Sequence, residues 1–277
     1  MCRRWRARHR RLAAGFAVLS WLAFILALSC ERPAPKPPPP PRRVGAAYPR
    51  LVSPAEAAQR AWQSYDAQLE DVNIPWAANA TMRALFYVSE TLQRSEYTHA
   101  RDVDFQQGDY RFDCSGMVDW VLSQSSPVAA GSVRRGRVHR PLAKDFYHVI
   151  ASSPVARAHR GWSRVVEVSS VRPGDVVAWV KREQDPSRHT GHVAFFVHPP
   201  ARIRGYADAY LARIADSTTL AHALDNRPER MRGGFGLGTI VIVVDEADAP
   251  VGFGWAATLS PEIYLTDMAM GRPVKRR

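Results

Sequence analysis

The sequence predicts an α+β fold in which early helices pack on an antiparallel sheet formed later in the chain. Two observations predict it. Between residues 53 and 125 apolar residues recur at helical spacing, as in "ANATMRALFYVSETLQRS", where Met82, Leu85, Phe86, Val88 and Leu92 fall mostly on one side. From residue 164 the period falls to two, in "RVVEV", "GDVVAWVK", "HVAFFVH", "YLARIAD" and "TIVIVVDE", separated by Pro, Gly and Asp turns. With 277 residues, 46% of them hydrophobic, the chain can bury a sizeable core.

The first 50 residues carry 11 of the 38 basic residues and one of the 26 acidic ones. That leaves the body near neutral despite a net charge of +12, which argues against a nucleic-acid surface. "MCRRWRARHRR" followed by the uncharged run at 12–29 has the form of an export signal, of borderline length for an uncleaved membrane anchor. Its end, "ALSC", resembles a bacterial lipoprotein signal, which implies lipidation at Cys30; an anchor helix with an incidental Cys is the other reading. Residues 1–30 are thus signal or anchor. Residues 31–50 form a linker, stiffened by the five prolines Pro37 to Pro41. Residues 51–277 form the folded body, opening on a helix with Ser53 as N-cap and Pro54 at its first position. Residues 97–112 read as loop, and 126–163 as a surface excursion holding one short helix, "LAKDFYHVIA".

The chemistry centres on "FDCSGMVDWVL". With three cysteines in the chain, Cys114 belongs to no disulfide framework. With Asp113 as helix cap, Cys114 starts the helix. Met117, Val118, Val121 and Leu122 then form a buried stripe on its side. The first turn lies at the positive end of the helix dipole, which favours the thiolate. The small Ser115 and Gly116 leave room above the sulfur. A buried, unreactive thiol is the alternative. A thiolate nucleophile needs an imidazole. In "HVAFFVH", His192, Ala194, Phe196 and His198 share one strand face, and the small Ala194 would let the helix approach near His192.

"FDCSGMVDWVL", "RPGDVVAWV" and "GHVAFFV" in this order resemble the NlpC family of papain-like cysteine peptidases, bacterial cell-wall endopeptidases, over residues 80–245. The resemblance implies a papain-like fold with Cys114 as nucleophile and His192 as general base and acid. It implies a third, polar residue that orients the His. Asp216 is the first choice, with His222 and Asp225 as alternatives and a turn-forming role as the other reading of Asp216. Tyr97 is the nearest match to a family Tyr that helps bind the oxyanion, although "YTHA" replaces the usual glycines; a core tyrosine is equally consistent. The backbone N–H of Cys114 would be the other oxyanion donor. The implied substrate is the peptide stem of peptidoglycan, reached from an exported, membrane-anchored position in the cell envelope. No cofactor is expected. The Cys–His spacing exceeds the family's usual one, and the excess falls in 126–163.

Competing readings are another papain-like amidase or acyltransferase, and a non-catalytic binding or scaffold module. His189, His192 and His198 come without HExxH or CxxC, so no metal is expected. "GGFGLG", Gly233 to Gly238, precedes a strand rather than a helix and reads as a hairpin turn. "RRGRVHR", residues 134–140, reads as a solvated loop.

Overall fold

The structure, a computed structural model, describes residues 74–135, 140–181, 189–203, 206–220, 222–227, 233–255 and 263–274. The export segment with Cys30, the proline linker and the helix expected after Ser53 lie outside the described residues.

Four helices and twelve strands make up the described body, an α+β fold with a large antiparallel sheet. Helix α1 (Ala80–Thr91) is capped by Asn79, whose Oδ1 accepts the Met82 N–H at 3.0 Å. Helix α2 (Cys114–Ser125) starts at the thiol, and α3 (Pro127–Arg134) follows it, with Pro127 in the first turn. Helix α4 spans Ala143–Ala151.

Three short strands, β1 (Arg94–Glu96), β2 (Asp102–Asp104) and β3 (Asp109–Arg111), form a small sheet in the order β1-β3-β2. The main sheet contains β4 (Trp162–Val165), β5 (Val176–Val180), β6 (Gly191–Phe196), β8 (Ala209–Thr218) and β9 (Gly234–Val244). It also contains β10 (Pro250–Gly254), β11 (Ile263–Leu265) and β12 (Met268–Pro273), in the order β11-β10-β9-β8-β6-β5-β12-β4. The two-residue β7 (Ala201–Arg202) pairs with β8.

The sheet curls on itself. Strands β5 and β10 are separated by three others, yet the rings of Trp179 and Phe253 lie 4.4 Å apart. Inside the curl a core gathers Val177, Ala194, Phe196, Ile214, Ile240 and Met270. On the outer face the helices pack: Met117, Val118, Val121 and Leu122 of α2 are fully buried with Val193, Phe195 and Ala215.

Two expectations change here. Helix α2 packs on the face of β6 that carries Val193 and Phe195, so Ala194 is not the contact that admits it. The 126–163 segment is core rather than excursion. It holds two helices, and Ala129, Val133, Phe146, Ile150 and Trp162 join the outer core. Trp162 is fully buried, and its Nε1–H is shared between the Ala129 carbonyl and Ser132 Oγ, each at 3.1 Å. The Ser-, Pro- and Arg-rich composition hid the apolar face because α3 buries small residues rather than large ones.

Candidate active site

The turn before α2 fixes the thiol. Asp113 Oδ1 accepts the Gly116 N–H at 2.8 Å and the Ser115 hydroxyl at 3.0 Å. Its Oδ2 accepts from Arg140 at 2.6 Å and faces His99 Nδ1 at 3.0 Å. A Cβ on Gly116 would lie 3.2 Å from Asp113 Oδ1 and 3.3 Å from Phe112 Cβ. Gly116 is therefore bare to admit the cap, not to leave room above the sulfur. Cys114 is a free, buried thiol. Asp113→Ala removes the cap and unpairs Arg140, at an expected cost of at least about 1 kcal/mol. In a domain of this size that lowers the melting midpoint by about 2–4 °C in a thermal scan.

The residue before His192 places it on its strand. Gly191 has φ +128°, a conformation L side chains rarely adopt, and a Cβ there would run into the Trp179 carbonyl. The β5–β6 hairpin then sets His192 opposite Trp179, with ring centroids 5.0 Å apart. On β8, Asp216 faces the same way and is fully buried. Its Oδ2 accepts from His192 Nε2 at 2.7 Å. Because Nε2 is committed to the carboxylate, Nδ1 is the ring nitrogen left to interact with Cys114, whose charge acts on His192. Asp216 thus holds His192 from one side while Cys114 acts on it electrostatically.

Burial works against a charged His192, but the Cys114 thiolate and the Asp216 carboxylate outweigh it and raise its pKa from 6.5 to about 9. Burial also opposes ionisation of Asp216, yet His222, Arg227 and His192 together hold its carboxyl well below the usual range. The signs set a pH window. The stabilisation from a charged His192 is complete below about 6.5 and is lost as pH rises through about 9. That from Asp216 is present above the ordinary Asp range and is lost only as pH falls through its depressed value. Replacing Cys114 by Ser removes the largest raising influence, so His192 is expected to titrate well below 9 in that variant. NMR of the His192 ring protons against pH measures this directly.

Tyr97 lies beside the thiol. The Glu96 carbonyl accepts the Phe112 N–H at 3.2 Å, and the Phe112 carbonyl accepts the Thr98 N–H at 3.3 Å. Burial, then the negative charges of Cys114 and Asp113, push the Tyr97 phenol far above its ordinary range, so it is held as an O–H donor. Residues 97–112, expected as loop, contain β2 and β3 of the small sheet that carries Tyr97 to this point; three-residue strands are too short to show alternation.

Behind Asp216 lies an arrangement with no counterpart in the sequence expectations. His222 and Asp225 entered as alternatives to Asp216; His222 instead bonds Asp216, and Asp225 holds the segment that carries His222 and Arg227. His222 Nε2 donates to the same Asp216 Oδ2 at 2.9 Å. Arg227 donates to Asp216 Oδ1, and also to the Asp216 carbonyl at 3.0 Å. Among the described residues, Asp225 makes no hydrogen bond to Asp216 or His192. It accepts the backbone N–H of His222 and of Arg227, each at 2.8 Å, and pairs with the Arg227 guanidinium.

"GGFGLG" makes this possible. It is not a hairpin turn: from Gly234 it is the first half of β9, with Asp216 opposite Gly236. A Cβ on Gly234 would lie 2.8 Å from Glu96 N, on Gly236 2.7 Å from Arg227 Cζ, and on Gly238 2.6 Å from His222 Cβ. Three bare positions on one strand face thus admit β1, Arg227 and His222 in turn. The period-two glycines were the signal for Arg227, which the sequence reading passed over.

"RRGRVHR" also changes its role at both ends. Arg134 pairs with the buried Asp119, and Arg140 pairs with Asp113; residues 136–139 lie outside the described residues. Among the described residues, no group of three or more His, Cys, Asp or Glu side chains is placed to hold a metal ion. His198 is not part of the site; its Nδ1 faces the Pro199 carbonyl at 2.8 Å.

Compared with known proteins, the chain matches no family model, no curated protein and no solved structure.

Proposed function

We propose that this chain is a thiol hydrolase of the NlpC papain-like type, exported, anchored in the cell envelope, and acting on peptide bonds of peptidoglycan stems. One observation carries the catalytic part of this reading. A buried free thiol at the head of a capped helix acts electrostatically on His192, whose Nε2 is held by a buried carboxylate. The sequence pattern "FDCSGMVDWVL", "RPGDVVAWV", "GHVAFFV" supports the choice of substrate.

In this reading His192 Nδ1 takes the Cys114 proton and the sulfur attacks the amide carbonyl. The Cys114 backbone N–H, which has no helical partner at this position, and the Tyr97 hydroxyl donate to the developing oxyanion. The tetrahedral intermediate collapses with cleavage of the C–N bond, and His192 returns the proton to the leaving amine. Water, activated by the now neutral His192, hydrolyses the thioester and releases the acid. Asp216 keeps Nε2–H in place throughout and balances the imidazolium.

The test is incubation of the protein, from residue 44 onward, with purified peptidoglycan, reading released fragments by mass spectrometry. New termini at one class of stem-peptide bond support the proposal. An intact polymer, with Cys114 still alkylated rapidly at neutral pH, would point to another amide or ester substrate. An intact polymer with an inert thiol would favour a binding module.

A further inference from the structure

Against Gly238 of β9 lies a second imidazole that the hydrolytic reaction above does not use. His222 is 5% exposed and its side chain is fully enclosed. Its ring lies flat on Trp255, with centroids 4.9 Å apart and planes at 4°. The bare Gly238 lies against its Cβ and ring. Asp225 holds its backbone N–H at 2.8 Å, and the neighbouring Ala223 carbonyl accepts the Thr239 N–H at 2.9 Å. Every degree of freedom of this ring is fixed by something other than Asp216.

The other ring nitrogen makes the placement costly. Among the described residues, His222 Nδ1 is buried and has no hydrogen-bond partner. An apolar ring would stack on Trp255 equally well and leave no unpartnered polar nitrogen, so burying a histidine here disfavours folding unless its Nε2–H is used. That Nε2–H has one partner, Asp216 Oδ2, the oxygen that also receives His192 Nε2. His192, by contrast, sits at the edge of the site, its side chain 11% exposed, with Trp255 edge-on at 5.4 Å.

We infer that His222 is a positioning residue: a rigid donor that fixes the Asp216 carboxylate plane and, through the shared oxygen, the ring of His192 against Cys114. This rests on the reading of Cys114 and His192 as the reacting pair. Arg227 fixes Oδ1 from the other side, so the carboxylate is held at both oxygens before His192 binds it. Trp255 serves both rings, stacking on one and bounding the other.

The test uses two replacements in the full chain. His222→Phe keeps the ring on Trp255 and removes the donor. His222→Gln restores an N–H donor without an imidazole. The probe is iodoacetamide, with the rate at Cys114 read by peptide mapping so that Cys2 and Cys30 do not interfere. The pH profile from 5 to 10 is recorded beside the NMR titration of His192. The groups that shape this profile are Cys114 and Asp216, which face His192; Tyr97, Asp113 and Arg140 around the thiol; and His222 and Arg227 behind Asp216.

In His222→Phe the rate at pH 7 is expected to fall about tenfold, the scale on which losing an outer hydrogen-bond partner disturbs an oriented imidazole. The His192 titration is expected to move downward with it. His222→Gln should return both to within about threefold of the parent. Unchanged alkylation and an unchanged His192 titration in a folded His222→Phe protein would overturn the inference. If the Phe protein does not fold, a folded Gln protein with a lost alkylation plateau would overturn it as well, because the donor is then present without effect. An inert Cys114 in the parent would be a different failure, of the thiol-hydrolase reading itself.

Discussion

Asp216→Ala is expected to destabilise the protein by about 3–5 kcal/mol, the cost of removing one partner from a buried ionic cluster. The reason is the number of donors that lose their acceptor. His192 Nε2, His222 Nε2 and the Arg227 guanidinium all point at this one carboxylate. The side chains of His222 and Arg227 are no more than 5% exposed, so water cannot replace what is lost. A loss of this size is a large part of the stability of an ordinary domain. Asp216→Asn tests the electrostatic share. It preserves the shape but offers one acceptor oxygen to three donors and no negative charge, so it recovers only part of the loss. Urea unfolding at pH 7 of parent, Ala and Asn proteins measures all three. A cost below about 1 kcal/mol for Asp216→Ala would mean that the cluster is not held by its carboxylate.

That cluster shows what could and could not be read from the chain. The helix start at Cys114 and the strand faces of His192 and Asp216 were legible from local rules, whereas Asp216 was singled out only through the family resemblance. An Asp before a small-residue turn caps a helix, and strand alternation places His192 and Asp216 on predictable faces. The way the thiol reaches the imidazole was not legible. Ala194 looked like the gap that admits the helix, but α2 lies on the opposite face. The approach instead depends on the curl of the sheet and on Gly234 letting β1 cross close to β9. Curl is a property of the whole sheet, and no single strand's sequence reports it. The same holds for β12, whose sequence "MAMGRP" carries no strand period. It takes its place between β4 and β5 because Arg272 reaches the buried Asp175 at 2.8 and 2.7 Å. The Asp of "RPGD" is therefore a structural clamp on the last strand, joining neighbouring strands that are 97 residues apart in sequence.

Cys114→Ala is expected to abolish release of peptidoglycan fragments, with a fall of at least about 10³-fold, while the fold survives. The two halves of this expectation have separate physical grounds. Activity disappears because Tyr97, Asp113, Ser115 and Ser217 leave no second nucleophile in the right relation to His192: Ser115 donates to Asp113, and Ser217 donates to the Phe112 carbonyl at 2.8 Å. The fold survives because the cap, the Met117–Leu122 stripe and the Ser217 bond do not involve the sulfur. Losing one sulfur from a packed site costs on the order of 1 kcal/mol. His192 registers the change independently of any substrate. Without the thiolate the strongest raising influence is gone, and burial draws the imidazole toward neutrality. A Cys114→Ala protein that unfolds like its parent, shows a His192 titration shifted downward and releases nothing from the polymer has lost its nucleophile. A Cys114→Ala protein that still cleaves would remove the thiol from the mechanism, and with it the role assigned to His192.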